Sequence, residues 1–355
     1  MSDRVLILGG AGFVGSSLAI ALQQRHPDWR ICCLDNLRRR GSELNLPRLQ
    51  AWGITFSHGD IRQASDLEPA AFPVDTILDC SAEPSVLAGF SSPQYVLHTN
   101  LLGTINALEL ARQVGARFLF LSTSRVYPIA SLKAIALQEA VTRWAIAPEQ
   151  TLPGVSPAGV AETFPLNGYR SLYGATKLAS ELLIEEYHQA YGLPTLVNRC
   201  GVLTGPWQMG KVDQGVFALW VAAHRFQTPL RYIGYGGTGK QVRDLLHIAD
   251  LIELIEGQLA QFADLNGQVF NVGGGAAHSL SLLETTQLCQ QLTGQTIPIQ
   301  AIAEERPGDV PWFITDARRV QQATGWQPQR SPAQTLEDID RWLQDNRTLL
   351  EPIFT

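Results

Sequence analysis

The chain has 355 residues, 45% of them hydrophobic and 17% charged, and a formal net charge of −6. This length supports about two domains with substantial cores and excludes wholesale disorder. The acidic balance argues against nucleic acid or an anionic membrane surface as a partner. Residues 5–8 read as a buried strand, followed by a helix with Val14, Leu18, Ala21 and Leu22 on one face. Residues 5–24 are uncharged and carry Ala19-Ile20-Ala21, which resembles a leader cleavage site. Four glycines interrupt that run and no net side-chain charge precedes it, so it reads as structure and not as a leader or a spanning helix. Further strands are expected at 30–35, 54–57, 76–80, 118–122 and 195–199, with helices at 101–114 and 173–190. Apolar strands alternating with helices imply a parallel sheet covered on both faces, an α/β fold of the doubly wound, Rossmann type. Residues 128–170 read as a long surface excursion with a short helix at 132–141. The last third, broken by Gly/Pro turns at 234–239, 273–275 and 306–308, reads as a smaller mixed α/β domain. Cys32, Cys33, Cys80, Cys200 and Cys289 have no metal-ligand spacing and read as free thiols of a reducing cytoplasm.

Gly9-Gly10-Ala11-Gly12-Phe13-Val14-Gly15 follows the first strand and opens the first helix. Glycines there allow a tight turn and let backbone approach a pyrophosphate, whose charge then sits at a helix N-terminus. Asp35 ends the second strand, where a carboxylate binds adenine-ribose hydroxyls and repels a 2′-phosphate. Arg38-Arg39-Arg40 leaves a 2′-phosphate, and so NADP, as the alternative to NAD. Asp60, in His58-Gly59-Asp60-Ile61, reads either as a partner for the adenine amine or as an ordinary Asp at a strand end.

Tyr173-Gly174-Ala175-Thr176-Lys177 sets a Tyr and a Lys four apart, on one helix face. An ammonium beside a phenol stabilises the phenolate, so the Tyr can act as a base near neutral pH. Ser122-Thr123-Ser124 closes the strand expected at 118–122 and offers a hydroxyl to a reacting sugar oxygen.

With these motifs the chain resembles the extended short-chain dehydrogenase/reductase family of nucleotide-sugar epimerases and dehydratases. The matching segments are GGAGFVG, LDNL, HGDIR, NLLGTINALELA, STSRVYP, YGATK, QVRDLLHIADL, NVGGG and RPGDV, spread over essentially the whole chain. The resemblance implies bound NAD, Tyr173 as acid/base, Lys177 as its tuner, and Thr123, or else Ser124, as the substrate hydrogen-bonder. It places Gly9, Gly12, Phe13, Val14, Gly15, Asp35, Asn36, Asp60, Ile61, Cys80, Ser81, Ala82, Asn100 and Arg199, with Tyr173 and Lys177, on the cofactor. It implies interleaved domains, with 1–200 and 241–272 binding NAD and 201–240 and 273–355 binding the nucleotide sugar. It also implies a homodimer or higher homo-oligomer built on the two long helices.

Family dehydratases follow the catalytic Thr with Asp-Glu, which eliminate water; this chain has Ser124-Arg125. Family decarboxylases usually carry Glu where Arg125 stands. Asp213-Gln214-Gly215, the segment 237–244, and Ser279 through Glu284 resemble the CDP-sugar 2-epimerases of the family. That resemblance implies a CDP-sugar, with Arg243 and Arg306 on its diphosphate and Asp309 on its ribose. Glu83, Ser85 and Gln214 complete the expected substrate set. The chain departs from the family at Asp79, where a His is usual, at Glu83, where the epimerases often carry Gln, and at 199–206, where an Asn and a Tyr are missing. A keto-reductase using NADPH and a non-catalytic NAD(P)-sensing protein are the alternatives.

Overall fold

The computed structural model describes residues 3–210 and 214–355; Met1, Ser2 and Asp213 lie outside the described residues. The chain forms two compact units. The first comprises Met1–Val126, Leu172–Arg199 and Ile252–Phe270. The second comprises Tyr127–Ser171, Cys200–Leu251 and Asn271–Thr355.

The first unit is organised by a seven-stranded sheet. Its first five strands are β1 (Arg4–Leu8), β2 (Arg30–Asp35), β3 (Thr55–His58), β4 (Thr76–Asp79) and β5 (Arg117–Thr123), and Thr195–Cys200 and Gln268–Val272 complete it. The order across the sheet is Gln268–Val272, Thr195–Cys200, β5, β4, β1, β2, β3. Strand β1 runs parallel to both neighbours, with Leu8 opposite Leu34 on one side and Asp79 on the other. Val5, Leu6, Ile7 and Leu8 are wholly buried, as a central strand covered on both faces must be. The core between sheet and helices holds Leu6, Ile77, Phe118, Phe120, Leu108 and Ile184. Each such side chain contributes about 1.5–3 kcal/mol through burial.

The strand order reverses between β1 and β4. In a doubly wound sheet that switch point opens the ligand crevice at the strands' carboxyl ends. Helix α1 (Phe13–Arg25) starts there, with Gly12 as its N-cap and no side-chain cap. Gly9 turns the chain at φ +71°, and a Cβ on it would lie 2.9 Å from the Ser81 Cα. A Cβ on Gly15 would lie 2.3 Å from the Gly9 carbonyl oxygen. Both glycines are therefore demanded by sterics alone.

The expected strands all form, within a residue or two. The expected helix at 101–114 is longer and interrupted: α-helix Pro93–Leu97, a π turn His98–Leu102, then α-helix Gly103–Val114. Such π turns are frequent at functional sites. The helix that carries Tyr173 and Lys177 spans Leu172–Tyr191.

The second unit is built on Val202–Thr204, Val242–His247, Ser279–Ser281 and Trp312–Phe313, with Val242–His247 paired to the other three. Helices Val216–Phe226, Leu282–Thr293 and Pro332–Asp345 pack together beside them. Two expectations are corrected here. Residues 127–171 and 241–251 belong to this unit and not to the first. The reason is backbone pairing: Val242–His247 is its central strand, and Val160 exchanges hydrogen bonds with Ile314 and Asp316. The helix expected at 132–141 is confined to Ile129–Lys133, because Leu137–Glu139 pairs antiparallel with Trp144–Ile146 instead.

The excursion is pinned down. Trp144 N–H donates to the Lys240 carbonyl at 3.0 Å, Lys240 pairs with Glu139, and Lys133 with Glu305. Arg143 forks onto Glu284, whose backbone N–H and carboxylate form the capping box with Ser281. The Ser279–Glu284 motif is therefore a helix cap that also anchors the excursion.

Gly15→Ala is expected to destabilise the chain by about 1–3 kcal/mol through overpacking and to abolish dinucleotide binding. Urea unfolding and NAD calorimetry check the two effects.

Candidate active site

The phosphate loop and the end of β2 are tied together. Asp35 accepts hydrogen bonds from Ala11 N–H at 3.2 Å and Leu37 N–H at 2.8 Å. Burial raises the Asp35 carboxyl, while the N–H groups of Leu37, Ala11 and Gly12 pull it back. Leu37 itself has φ 54°, left-handed backbone that a leucine adopts only under constraint. The strained residue was not among the sequence candidates, because leucine carries no signal for positive φ.

A dinucleotide fits what is present. The loop has no room for side chains at Gly9 and Gly15, the helix start is uncapped, and a fixed carboxylate stands at the end of β2. Phe13 and Val14 begin the helix itself. Asp60, expected near the adenine amine, is otherwise engaged. Arg62 forks onto it with Nε at 2.9 and 3.0 Å, and Asn36 donates to it at 2.9 Å. Arg62 holds the carboxyl well below the usual carboxylate range. Arg38 stacks over the Tyr95 ring at 4.1 Å, and Arg62 lies 5.0 Å from the same ring. Ile61 is buried and its carbonyl accepts from Asn106.

Asn100 sits in the π turn and is buried. Its side-chain carbonyl accepts from Glu83 N–H at 2.8 Å, and its amide donates to the Glu83 carbonyl at 3.1 Å and to Thr176 at 3.2 Å. It thereby fastens the segment after β4, with Cys80, Ser81, Ala82 and Glu83, to the helix Leu172–Tyr191. Glu83 in turn accepts from Ser85 N–H. Asp79 ends β4 and is wholly buried. One of its oxygens takes the Ser81 N–H and O–H. Burial of Cys32 pushes its thiol up to about 11, which suits an inert core residue.

Tyr173 and Lys177 are both buried, Lys177 almost completely. The Lys177 Nζ lies 3.7 Å from the centroid of the Phe120 ring, a desolvated cation–π contact. Their helix packs on β5 and on the turn Ser124–Val126. Thr123, the last residue of β5, accepts from Arg125 N–H at 3.2 Å, and Ser124 opens the turn. One turn beyond Lys177, Glu181 is buried and accepts the Ser122 hydroxyl. Arg199 forks onto Glu181 with contacts of 2.7–3.2 Å. Arg199, expected on the cofactor, thus joins Thr195–Cys200 to the helix Leu172–Tyr191. Glu181 was missed by sequence reading, although Tyr173, Lys177 and Glu181 recur at four-residue spacing on one helix face.

In the second unit, Arg243 donates to Asp309 at 2.8 Å and to the Val310 carbonyl at 2.6 Å. These two expected substrate residues are brought together. Arg306 is half-buried and opens the turn that Asp309 N–H closes. Gln214 lies one residue before Gly215–Val216, where the helix Val216–Phe226 starts with Gly215 as its N-cap.

A sequence model of the NAD dependent epimerase/dehydratase family matches residues 5–273. The chain belongs to this family. CDP-paratose 2-epimerase of Salmonella typhi is 29% identical over 96% of this chain and 98% of its own length. A dTDP-glucose 4,6-dehydratase of Streptomyces niveus is 29% identical over 99% of this chain and 95% of its own. Among solved structures, the Thermus thermophilus UDP-glucose 4-epimerase complex with NAD is 26% identical, covers 96% of this chain and 98% of its own, and has a TM-score of 0.73. The parallel seven-stranded sheet is thus the family's fold, and the family's chemistry depends on NAD. Among the described residues no helix is long and apolar enough to cross a membrane, and no group of His, Cys, Asp and Glu is arranged to hold a metal ion.

Arg199→Ala leaves the Glu181 carboxylate buried without its cation. It is expected to cost about 3–5 kcal/mol in urea unfolding. Replacing both residues by Met is expected to cost less than this single change.

Proposed function

We propose that this chain is an NAD-dependent epimerase of a nucleotide-diphosphate sugar, with a CDP-sugar as the favoured substrate. The reading is carried by one arrangement: Tyr173 and Lys177 buried on one helix beside β5, with Ser124-Arg125 and no carboxylates after Thr123. Water elimination needs an acid and a base at that place, and neither residue supplies them. Similarity to the CDP-paratose 2-epimerase supports the choice of nucleotide.

Gly9, Gly12 and Gly15 would hold the pyrophosphate and Asp35 the adenine ribose. Bound NAD supplies a hydride acceptor and donor. Tyr173 takes the proton from the sugar hydroxyl and gives it back, and Lys177 favours the phenolate that does so. Thr123, with Ser124 next to it, orients the reacting oxygen. Glu83 and Ser85 stand after β4 as candidates for the other sugar hydroxyls. In the second unit, Arg243 and Arg306 offer guanidinium forks suited to diphosphate oxygens, with Asp309 for a ribose and Gln214 as a further polar contact.

The same reading includes a homo-oligomer. Leu97, Leu102 and Leu182 are exposed along the two long helices and support it. Leu182→Arg is expected to shift the sedimentation coefficient to that of a single chain; an unchanged coefficient removes these helices from the interface.

The assay is NMR and mass analysis of CDP-, UDP- and dTDP-sugars incubated with the protein. A product of unchanged mass with inverted coupling at one carbon is expected. A keto sugar lighter by one water would make the chain a dehydratase, and stoichiometric release of NADH would make it a dehydrogenase. Tyr173→Phe is expected to lower kcat by roughly 10²–10⁴-fold with NAD binding retained.

A further inference from the structure

Asn45 breaks a local rule. It is the N-cap of the helix Leu46–Ala51, a position where an asparagine side chain ordinarily accepts an N–H of the first turn. Here it makes no such bond. Asn45 is 1% exposed, and its Nδ2 donates to the Ala11 carbonyl at 2.8 Å, 34 residues back in the phosphate loop. Its Oδ1 accepts from the Arg48 guanidinium at 2.6 Å. The two ends of an amide have nearly the same shape, so only the partners decide which way it faces. A guanidinium can only donate. Arg48 therefore fixes Oδ1 on its own side and turns the amide NH2 toward Ala11. Burial lowers Arg48 to about 10, which leaves it a cation at neutral pH.

Most of the loop's other donors are already engaged. The Gly9 and Gly10 N–H groups go to the Leu34 carbonyl at 3.0 and 3.1 Å, and Gly12 N–H goes to the Gly9 carbonyl at 3.0 Å. Ala11 N–H goes to Asp35. Ala11 is thus held at both ends of the residue, its N–H by Asp35 and its carbonyl by Asn45. Phe13, Val14 and Gly15 remain, the first turn of α1, whose N–H groups a helix does not use itself. Those are the donors for an anion, and a carbonyl oxygen turned toward them would repel it. We propose that Arg48 and Asn45 act together as positioning residues of the phosphate loop. They draw the Ala11 carbonyl into the protein, so that the pyrophosphate of a dinucleotide meets N–H groups and not that oxygen. The proposal rests on the reading of Gly9–Gly15 as the phosphate loop and requires nothing of the sugar chemistry.

The test compares ligands with and without phosphate. NAD and ADP are titrated into nucleotide-free protein by calorimetry, and adenosine binding is followed by ligand-observed NMR. Asn45→Ala removes the amide and adds no charge. It is expected to weaken ADP and NAD by roughly five- to tenfold, the effect of one well-placed hydrogen bond, and to leave adenosine binding unchanged. Arg48→Met is expected to produce the same selective loss to a smaller extent. The double variant should lose no more than Asn45→Ala alone, because two residues acting as a unit are not additive. Equal losses for ADP and adenosine would make Asn45 a general support of the fold and overturn the proposal. ADP binding that does not move, or losses that simply add, would overturn it as well. If Asn45→Ala does not fold, Arg48→Met carries the same comparison: a loss confined to ADP and NAD supports the proposal, and an unselective or absent loss overturns it. An unaltered chain that binds ADP no better than adenosine would end the phosphate-loop reading itself, and the proposal with it. A chain that prefers ADP but ignores both substitutions keeps that reading and loses only the proposal.

Discussion

The buried Arg199–Glu181 pair decides where the helix Leu172–Tyr191 lies. Glu181 binds the guanidinium of the Thr195–Cys200 strand and the Ser122 hydroxyl of β5 at once, so three elements meet at one carboxylate. Two charges taken out of water are costly unless each is fully matched, which makes this contact intolerant of any other register. Tyr173 and Lys177 ride on the same helix, two turns and one turn before Glu181. Their placement relative to Thr123 follows from that anchor, because Thr123 is the residue after Ser122.

The dinucleotide end of the first unit obeys a different constraint, namely backbone proximity. Gly9 and Gly15 leave no room for a β-carbon, and Asp35 reaches across to Ala11. The loop, the end of β2 and the start of α1 thus form one preorganised cradle, with Leu37 in left-handed backbone just after β2. Preorganised donors need not reorganise when an anion arrives, which is how a fixed backbone gains binding strength. The π turn at Asn100 serves the same end from the other side of β4, since its extra residue lets one side chain grip Glu83 and Thr176 together.

The second unit shows how a motif can carry two meanings. Ser279 through Glu284 resembles a stretch of nucleotide-sugar enzymes, yet Ser281 and Glu284 cap a helix and Glu284 holds Arg143 of the excursion. Arg243 and Asp309 likewise pair with each other, so the Arg243 guanidinium is held in one orientation.

Much of the fold was legible in the chain itself. Strand positions followed from short apolar runs, and the phosphate loop from glycine spacing, because both are local properties of the backbone. The pair Tyr173 and Lys177 was legible for the same reason, a four-residue helical repeat. The excursion was not: a proline-rich segment with no periodicity takes its structure from partners such as Lys240, Glu284 and Ile314, which are distant in sequence. Arg199 and Asp60 were legible as residues but not in their engagements, since only the packed structure shows that Glu181 and Arg62 reach them. Sequence alone therefore determined the sheet, its switch point and the helix face that Tyr173 and Lys177 share. Tertiary structure alone decided which charges are spent on one another. Ion pairing between buried groups, such as Arg199 with Glu181, depends on distances that local sequence does not encode.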